Sequence, residues 1–249
     1  MRILIGFIAA VGLACGISQA QAVDDIITKN IEARGGIEKL KNLQTVRQTG
    51  KFQIQSFQAG FLQENKRPHM VRQEVTIQGM SEVTAYDGKT GWRVSPFEGR
   101  KDPELLSEDD LKGIIEDSDI EGQLVDYKEK GYKAELVGHD PVEGTDCYKI
   151  KLTLQNGDIR YYYLDTDTYL ELKVETQRMI RGAYQYRETL YDDYEQVDGI
   201  YFATALASKE KGDTNEVKVT IDKVEVNVPL ANSLFTVPSS TSPPKGGQQ

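Results

Sequence analysis

The sequence reads as mainly β with α: a strongly curled antiparallel sheet, a half or open β-barrel of about ten or eleven strands. N-terminal and central helices cover its concave face. Three observations point there. Strand-period alternation with turn residues at hairpin spacing runs from Thr45 to Val228, broken by one long stretch, Asp102–Tyr127, that reads as helix. Alternate positions separate Lys, Glu, Arg, Gln and Thr from aliphatic and aromatic residues, which describes a sheet with one wet and one dry face. A sheet of that many strands must curl, and its dry face then needs a cover.

Taken in order, the chain starts with an address. Arg2 precedes an uncharged run, Ile3 to Ile17, and Ala20-Gln21-Ala22 follows as an A-x-A site. This is the pattern of a cleavable secretory signal over residues 1–22, so export across the inner membrane is expected. The apolar run is short of the roughly 20 residues of a membrane span. Leu13-Ala14-Cys15 offers a second reading, a lipid anchor on Cys15. Gly12 stands where a lipobox wants a larger aliphatic residue, so the A-x-A site is the better match. Residues 23–238 are expected to form one domain, and the Ser-, Pro- and Gly-rich residues 239–249 a solvated tail.

Asp24-Asp25 followed by Ile27, Ile31 and Arg34 on one face reads as a capped amphipathic helix, broken by Gly35-Gly36. Ile37, Leu40 and Leu43 continue as a second short helix. From Thr45 the period is two. Phe52 and Ile54 alternate with Gln residues, and Phe57 falls out of phase, as a bend requires. Strands follow from Gly60, from Val71 and from Ser81, the last joined to Trp92–Val94 by the turn Asp87-Gly88-Lys89-Thr90-Gly91. After the central segment, Tyr148 to Leu154 alternates strictly, Asn156-Gly157 turns the chain, and Ile159 to Leu164 returns. Leu170, Leu172 and Val174 mark the next strand, and Tyr184–Tyr194, Tyr201–Leu206 and Val217–Val228 supply three more.

The central segment is two-faced. Leu111, Ile114 and Ile115 fall at helical spacing, and Ser107 with Asp110 three residues on is a helix start. Nine acids between Ser107 and Glu129 face only Lys112 and Lys128, which accounts for most of the chain's formal charge of −9. Such a helix is expected to lay its aliphatic stripe on the sheet as a lid, acids in water. The acidic balance argues against nucleic acid as a partner and against lasting attachment to anionic membranes.

The chemical inventory is thin. His69 and His139 have no Cys, Asp or His partner at metal spacing, and neither H-E-x-x-H, C-x-x-C nor G-x-S-x-G occurs. Gly88-Lys89-Thr90 mimics the end of a phosphate loop, but Val83 stands where the first glycine belongs and the segment joins two strands. Asp165-Thr166-Asp167 lacks the glycine and glutamate of a calcium loop. After signal cleavage Cys147 is the sole cysteine, so an intrachain disulfide is excluded and an inert thiol expected. No cofactor and no enzymatic activity are expected. Of Tyr161-Tyr162-Tyr163, at least one must point inward. The apolar inventory is richer: Phe61, Leu62, Met70, Trp92, Val94, Phe97, Leu105, Leu111, Ile114 and Ile115 are the expected lining of an apolar ligand site.

The run Tyr86-Asp87-Gly88-Lys89-Thr90-Gly91-Trp92-Arg93-Val94-Ser95-Pro96, the helical insertion, and the closing Ser233-Leu234-Phe235-Thr236-Val237-Pro238 resemble the LolA-like outer-membrane lipoprotein-sorting proteins. The resemblance covers Asp25 to Pro238 and implies a half-barrel with a helical lid, Trp92 and Pro96 being structural. It further implies a periplasmic carrier of lipid or lipoprotein acyl chains, moving them between membrane-bound donor and acceptor proteins, and monomeric. A lipid-sensing module that signals to a membrane regulator is the alternative. The acidic lid departs from the family.

Overall fold

The computed structural model describes residues 11–238, with side chains from Gln21 onward. The first ten residues of the expected signal and the expected tail 239–249 lie outside the described residues. Helix α1 (Val11–Ala33) takes in residues 11–22, and α2 (Ile37–Asn42) follows after Gly35-Gly36. The face expected of α1 is the one it buries. Val23, Ile26 and Ile27 pack with Leu124, Ile150, Leu152, Tyr162, Leu164 and Val174, and Ile31 joins that cluster. A second cluster seats α2 through Leu40 and Leu43 against Val46, Val125 and Ile200.

Among the described residues, thirteen strands form one antiparallel sheet. Six run outward from the middle: β1 (Thr45–Ile54), β2 (Phe57–Lys66), β3 (Met70–Ile77), β4 (Met80–Tyr86), β5 (Gly91–Ser95) and β6 (Arg100–Leu105). After the lid helix α3 (Glu108–Asp117), seven return from the far edge: β7 (Lys133–His139), β8 (Cys147–Thr153), β9 (Ile159–Asp165), β10 (Glu171–Ile180), β11 (Ala183–Val197), β12 (Ile200–Glu210) and β13 (Val217–Val226). The order is β6-β5-β4-β3-β2-β1-β13-β12-β11-β10-β9-β8-β7, so the sheet is open, with β6 and β7 at its edges.

The two edge strands are the ones the sequence pattern omits. Pro103 has no N–H to give a second neighbour and suits an edge. Its strand takes Asp102–Leu105 out of the expected helix. Only Glu108–Asp117 is helical, and residues 118–132 continue as turns.

The halves join at β1–β13, in register from Val46↔Val226 to Ile54↔Val217 with a bulge at Thr49/Gly50. A Cβ on Gly50 would sit 1.9 Å from the Thr220 carbonyl oxygen, so this seam closes only around glycine. Turn chemistry follows the sequence. The Asp87 carboxylate accepts from the N–H groups of Lys89 and Thr90, which puts a negative charge where a phosphate loop would need donors.

Cross-strand pairing assigns the faces. Gln48, Gln63, Gln73, Thr84 and Arg93 form one row across β1–β5, and Arg47, Glu64, Arg72, Ala85 and Trp92 form its neighbour on the opposite side. The first row belongs to the concave face, beneath α3. The second belongs to the convex face, where the segment after β13 crosses back. There Trp92 Nε1 donates to the Phe235 carbonyl at 2.8 Å and Lys66 Nζ to the Leu230 carbonyl at 2.6 Å. Both faces therefore carry buried apolar residues, and the concave face also carries polar ones. A simple wet-and-dry division does not hold.

Candidate functional site

Helix α3 starts as its sequence indicates. Ser107 Oγ accepts from the Asp110 N–H at 3.2 Å and donates to the Asp110 carboxylate at 2.7 Å, while Glu108, Asp109 and Asp110 lie at the positive end of the helix dipole. Ile114 is 5% exposed. Leu111 reaches Gly91 on β5, where a Cβ would come within 2.3 Å of its Cδ2. Ile115, the third member of the stripe, is 44% exposed. Two of the three expected anchors thus face inward and the lid placement holds.

Polar contacts tie α3 to both walls. On the β2–β3 side, Asn65 Nδ2 donates to the Asp117 carbonyl at 2.6 Å and Gln73 Nε2 to the Asp117 carboxylate at 3.0 Å. On the β9–β10 side, Glu116 lies 2.7 Å from Arg178 and 3.1 Å from Arg160. Lys112 Nζ donates to the Met179 carbonyl, and the Arg181 N–H donates to Asp109 at 2.8 Å.

Beneath the lid lies a cavity of about 580 Å³. One wall is apolar, made of Phe52, Phe61, Val75, Val217, Val219 and Ile221; the other holds Arg160, Thr176, Arg178, Arg187 and Tyr191 under Glu116 and Asp117. A smaller space of about 210 Å³ adjoins it past Arg160, Tyr191 and Ala203, bounded by Arg34, Gln123, Glu171, Tyr162 and Tyr194. Burial raises the phenol pKa values of Tyr162, Tyr191 and Tyr194, so these hydroxyls are neutral hydrogen-bonding groups. Burial alone would lower the Arg160 pKa, but its surroundings, with the Glu116 carboxylate 3.1 Å away, more than reverse this and the guanidinium stays ionised.

The register divides the ten residues proposed from sequence. Phe61 lines the cavity; Leu111 and Ile114 lie on the inward side of the lid, where Gly113, Glu116 and Asp117 are the residues that roof the cavity. Leu62, Met70, Trp92, Val94 and Leu105 share the convex face with Glu64 and Ala85, Trp92 at 3% exposure under the C-terminal segment and Leu105 at 69%. Phe97, in the short helical turn Pro96–Glu98, is exposed, as is Ile115. One cluster around one cavity is not what these ten build, because β2 carries apolar residues in both phases and those of β5, Trp92 and Val94, both face the convex side. Of the three tyrosines, Tyr162 is the inward one, its hydroxyl 3.1 Å from Gln123 Oε1. Cys147 is fully buried with its pKa raised by burial, an inert thiol. His139 is a surface residue 2.9 Å from Asp146.

The arginines of the far wall are the feature that sequence reasoning missed. Arg160, Arg178 and Arg187 sit among alternating polar residues of the kind read as solvent-facing. The usable signal is phase: Arg160 is two residues from Tyr162 and pairs through Thr176 with Arg187.

Comparison with known proteins bears on the fold. A protein-family model described as "Uncharacterized protein" matches residues 102–239, more than half of the chain. The chain belongs to this family. No curated protein matches its sequence. Among solved structures, a LolA superfamily protein from Nitrosomonas europaea superposes with a TM-score of 0.60 at 14% identity, over 86% of this chain and 97% of that one. A DUF1329 family protein from Desulfovibrio piger gives 0.58 at 14% identity over the same shares. A putative outer membrane lipoprotein-sorting protein domain from Vibrio parahaemolyticus gives 0.53 at 13%, over 87% and 97%. The fold is therefore LolA-like, as the sequence motifs imply. Among the described residues no helix is long and apolar enough to cross a membrane, and no group of His, Cys, Asp and Glu is placed to hold a metal ion.

Proposed function

We propose that the chain is a periplasmic carrier that holds the acyl chains of a lipid or lipoprotein in the cavity under α3 and passes them toward the outer membrane. The observation that carries this reading is the roofed cavity itself. Its volume of about 580 Å³ falls in the range of small-molecule sites, roughly 300–1,000 Å³. Its roof is held by side chains and contributes no strand to the sheet, so moving α3 leaves all thirteen strands paired. A wall of Phe52, Phe61, Val75, Val219 and Ile221 suits a flexible apolar ligand. Burial of each methylene is worth roughly 0.8 kcal/mol, so a long acyl chain represents about 10 kcal/mol and must be enclosed in transit.

The LolA-like fold supports the same reading. In this role no bond is made or broken, and the expected signal over residues 1–22 is removed on export. Protein purified from the periplasm should carry co-extracted lipid, visible by native mass spectrometry and recovered in organic solvent. Apo protein alone, together with no uptake of a fluorescent fatty acid, would refute the proposal.

A further inference from the structure

The far wall of the cavity is too cationic for a purely apolar ligand. Arg160 on β9, Thr176 on β10 and Arg187 on β11 form one cross-strand row, and Arg178 projects from the same face of β10 two residues along. Three arginines thus stand around Thr176 on one wall of the cavity whose other wall carries Phe52, Phe61, Val75 and Val219. Arg187 is paired with Glu210 at 3.0 Å near the opening, and Arg178 approaches Asp158 at 3.5 Å. Arg160 also donates to Gln123 Oε1 at 2.5 Å, and the remaining charged partner comes from the lid: Glu116, 8% exposed, reaches both Arg178 and Arg160.

That fit is incomplete. Glu116 Oε2, Arg160 Nε and Arg178 Nε are buried without a hydrogen-bond partner. Buried charges left partly unsatisfied carry a desolvation penalty that their mutual attraction repays only with good geometry. An anionic head carried on a flexible chain, free to set both of its oxygens against these donors, would satisfy them better than a carboxylate fixed to a helix.

We propose that this wall is a headgroup seat, that the ligand is an amphiphile with an anionic head, and that Glu116 is the placeholder which that head displaces. The inference rests on the carrier reading and adds the ligand's charge. With α3 withdrawn, Glu116 and Asp117 leave together. Three guanidiniums then face two carboxylates, Asp158 and Glu210, and one positive charge remains for the ligand. The ligand's tail lies on the aliphatic wall and its head between Arg160 and Arg178. Loading and lid release are the same event, because head and lid carboxylate compete for one pair of guanidiniums.

The test uses the full mature chain and two probes, a pyrene-labelled fatty acid and its methyl ester, which lacks the charge and adds one methyl group. Wild-type protein should prefer the acid. Glu116→Gln, nearly isosteric, should tighten binding of the acid about tenfold more than that of the ester, since the internal competitor is gone. Arg178→Gln should weaken acid binding about tenfold or more and leave the ester alone. Equal binding of acid and ester by wild-type protein, or a Glu116→Gln variant with unchanged or weaker acid affinity, overturns the headgroup seat while the carrier reading stands. Binding of neither probe overturns the carrier reading itself. Inorganic phosphate separates the two sources of an anion: acid displaced by phosphate at matched concentration would assign the seat to a free anion and refute the amphiphile. Should Arg178→Gln fail to fold, as judged by circular dichroism, Glu116→Gln alone decides.

Discussion

Replacing Gly91 by alanine probes the lid from the sheet side. The new Cβ would lie 2.3 Å from Leu111 Cδ2 and 3.0 Å from Leu106 Cδ1, against carbon–carbon contacts of about 3.5–4.0 Å. Leu111 must therefore retreat by about 1 Å. Overpacking of this kind costs about 1–3 kcal/mol. Gly91 lies within a strand ladder, paired with Tyr86 and accepting from the Leu106 N–H at 2.9 Å, so the methyl's host is fixed while α3 is held only by side chains. The strain falls on the closed lid and should favour opening roughly 5- to 150-fold. Hydrogen exchange read by mass spectrometry would show this as faster exchange in Glu108–Asp117, with β8 and β9 unchanged. Gly60→Ala is the control, since its Cβ meets nothing nearer than Thr76 at 3.8 Å. Unchanged exchange in α3 alongside faster exchange in β4 and β5 would refute the reasoning and place the strain in the sheet.

Other substitutions test the frame around the site. Arg67 donates to the Leu40 and Leu43 carbonyls at the end of α2 and pairs with Glu121 just beyond the lid. Arg67→Ala orphans a mostly buried carboxylate at a cost of about 3 kcal/mol, which is roughly 6–12 °C of melting temperature; a fall below 2 °C would count against this hub. Arg67→Lys should restore less than half, because an ammonium cannot serve three acceptors in a plane. Gly50→Ala should open the β1–β13 seam, and a protected exchange pattern along both strands would contradict the close approach to Thr220. Tyr127 has its pKa raised to about 12, first by burial and then by its hydrogen bond to Asp24. The folded state holds the phenol proton more tightly, so this stabilisation is complete below pH 10 and lost as pH rises through 12. Tyr127→Phe should flatten that part of an alkaline unfolding profile; identical profiles would show that Tyr127 plays no part.

Period and turn chemistry carried much of this fold into view before any coordinates. The alternation of Tyr148, Ile150, Leu152 and Leu154 names the buried face of β8, and Ser107 with Asp110 names the start of α3. What alternation cannot say is which face is concave. Trp92 and Phe61 look alike as apolar residues in strands of the same half of the sheet, yet register puts one under the C-terminal segment and the other in the cavity. Bulges do further damage: the shift between Glu171 and Lys173 sends Leu172 to the convex side with Cys147 and Tyr163, while Val174 points inward. The arginine wall was hidden for the complementary reason. Strand-period arginines are ordinarily solvated, and only the partner carboxylate from a segment far along the chain, Glu116, marks Arg160 and Arg178 as interior.

The strand order explains why a lid exists at all. The chain enters the sheet at its centre with β1 and leaves it at the centre with β13, so both edges are built mid-chain. Residues 106–132 must therefore run from edge β6 to edge β7, and the short way passes over the concave face. Past α3 the segment is anchored in the core by Leu124 and Val125, so it is α3 that opens, by displacement rather than release. An apolar underside would make that displacement expensive, at roughly 25 cal/mol for each Å² exposed. Only Leu111 and Ile114 of its stripe face inward. The remaining grip is polar, through Asp109, Lys112, Glu116 and Asp117, and water can satisfy these groups once they part. A crossing imposed by topology has thus been given the chemistry of a reversible closure.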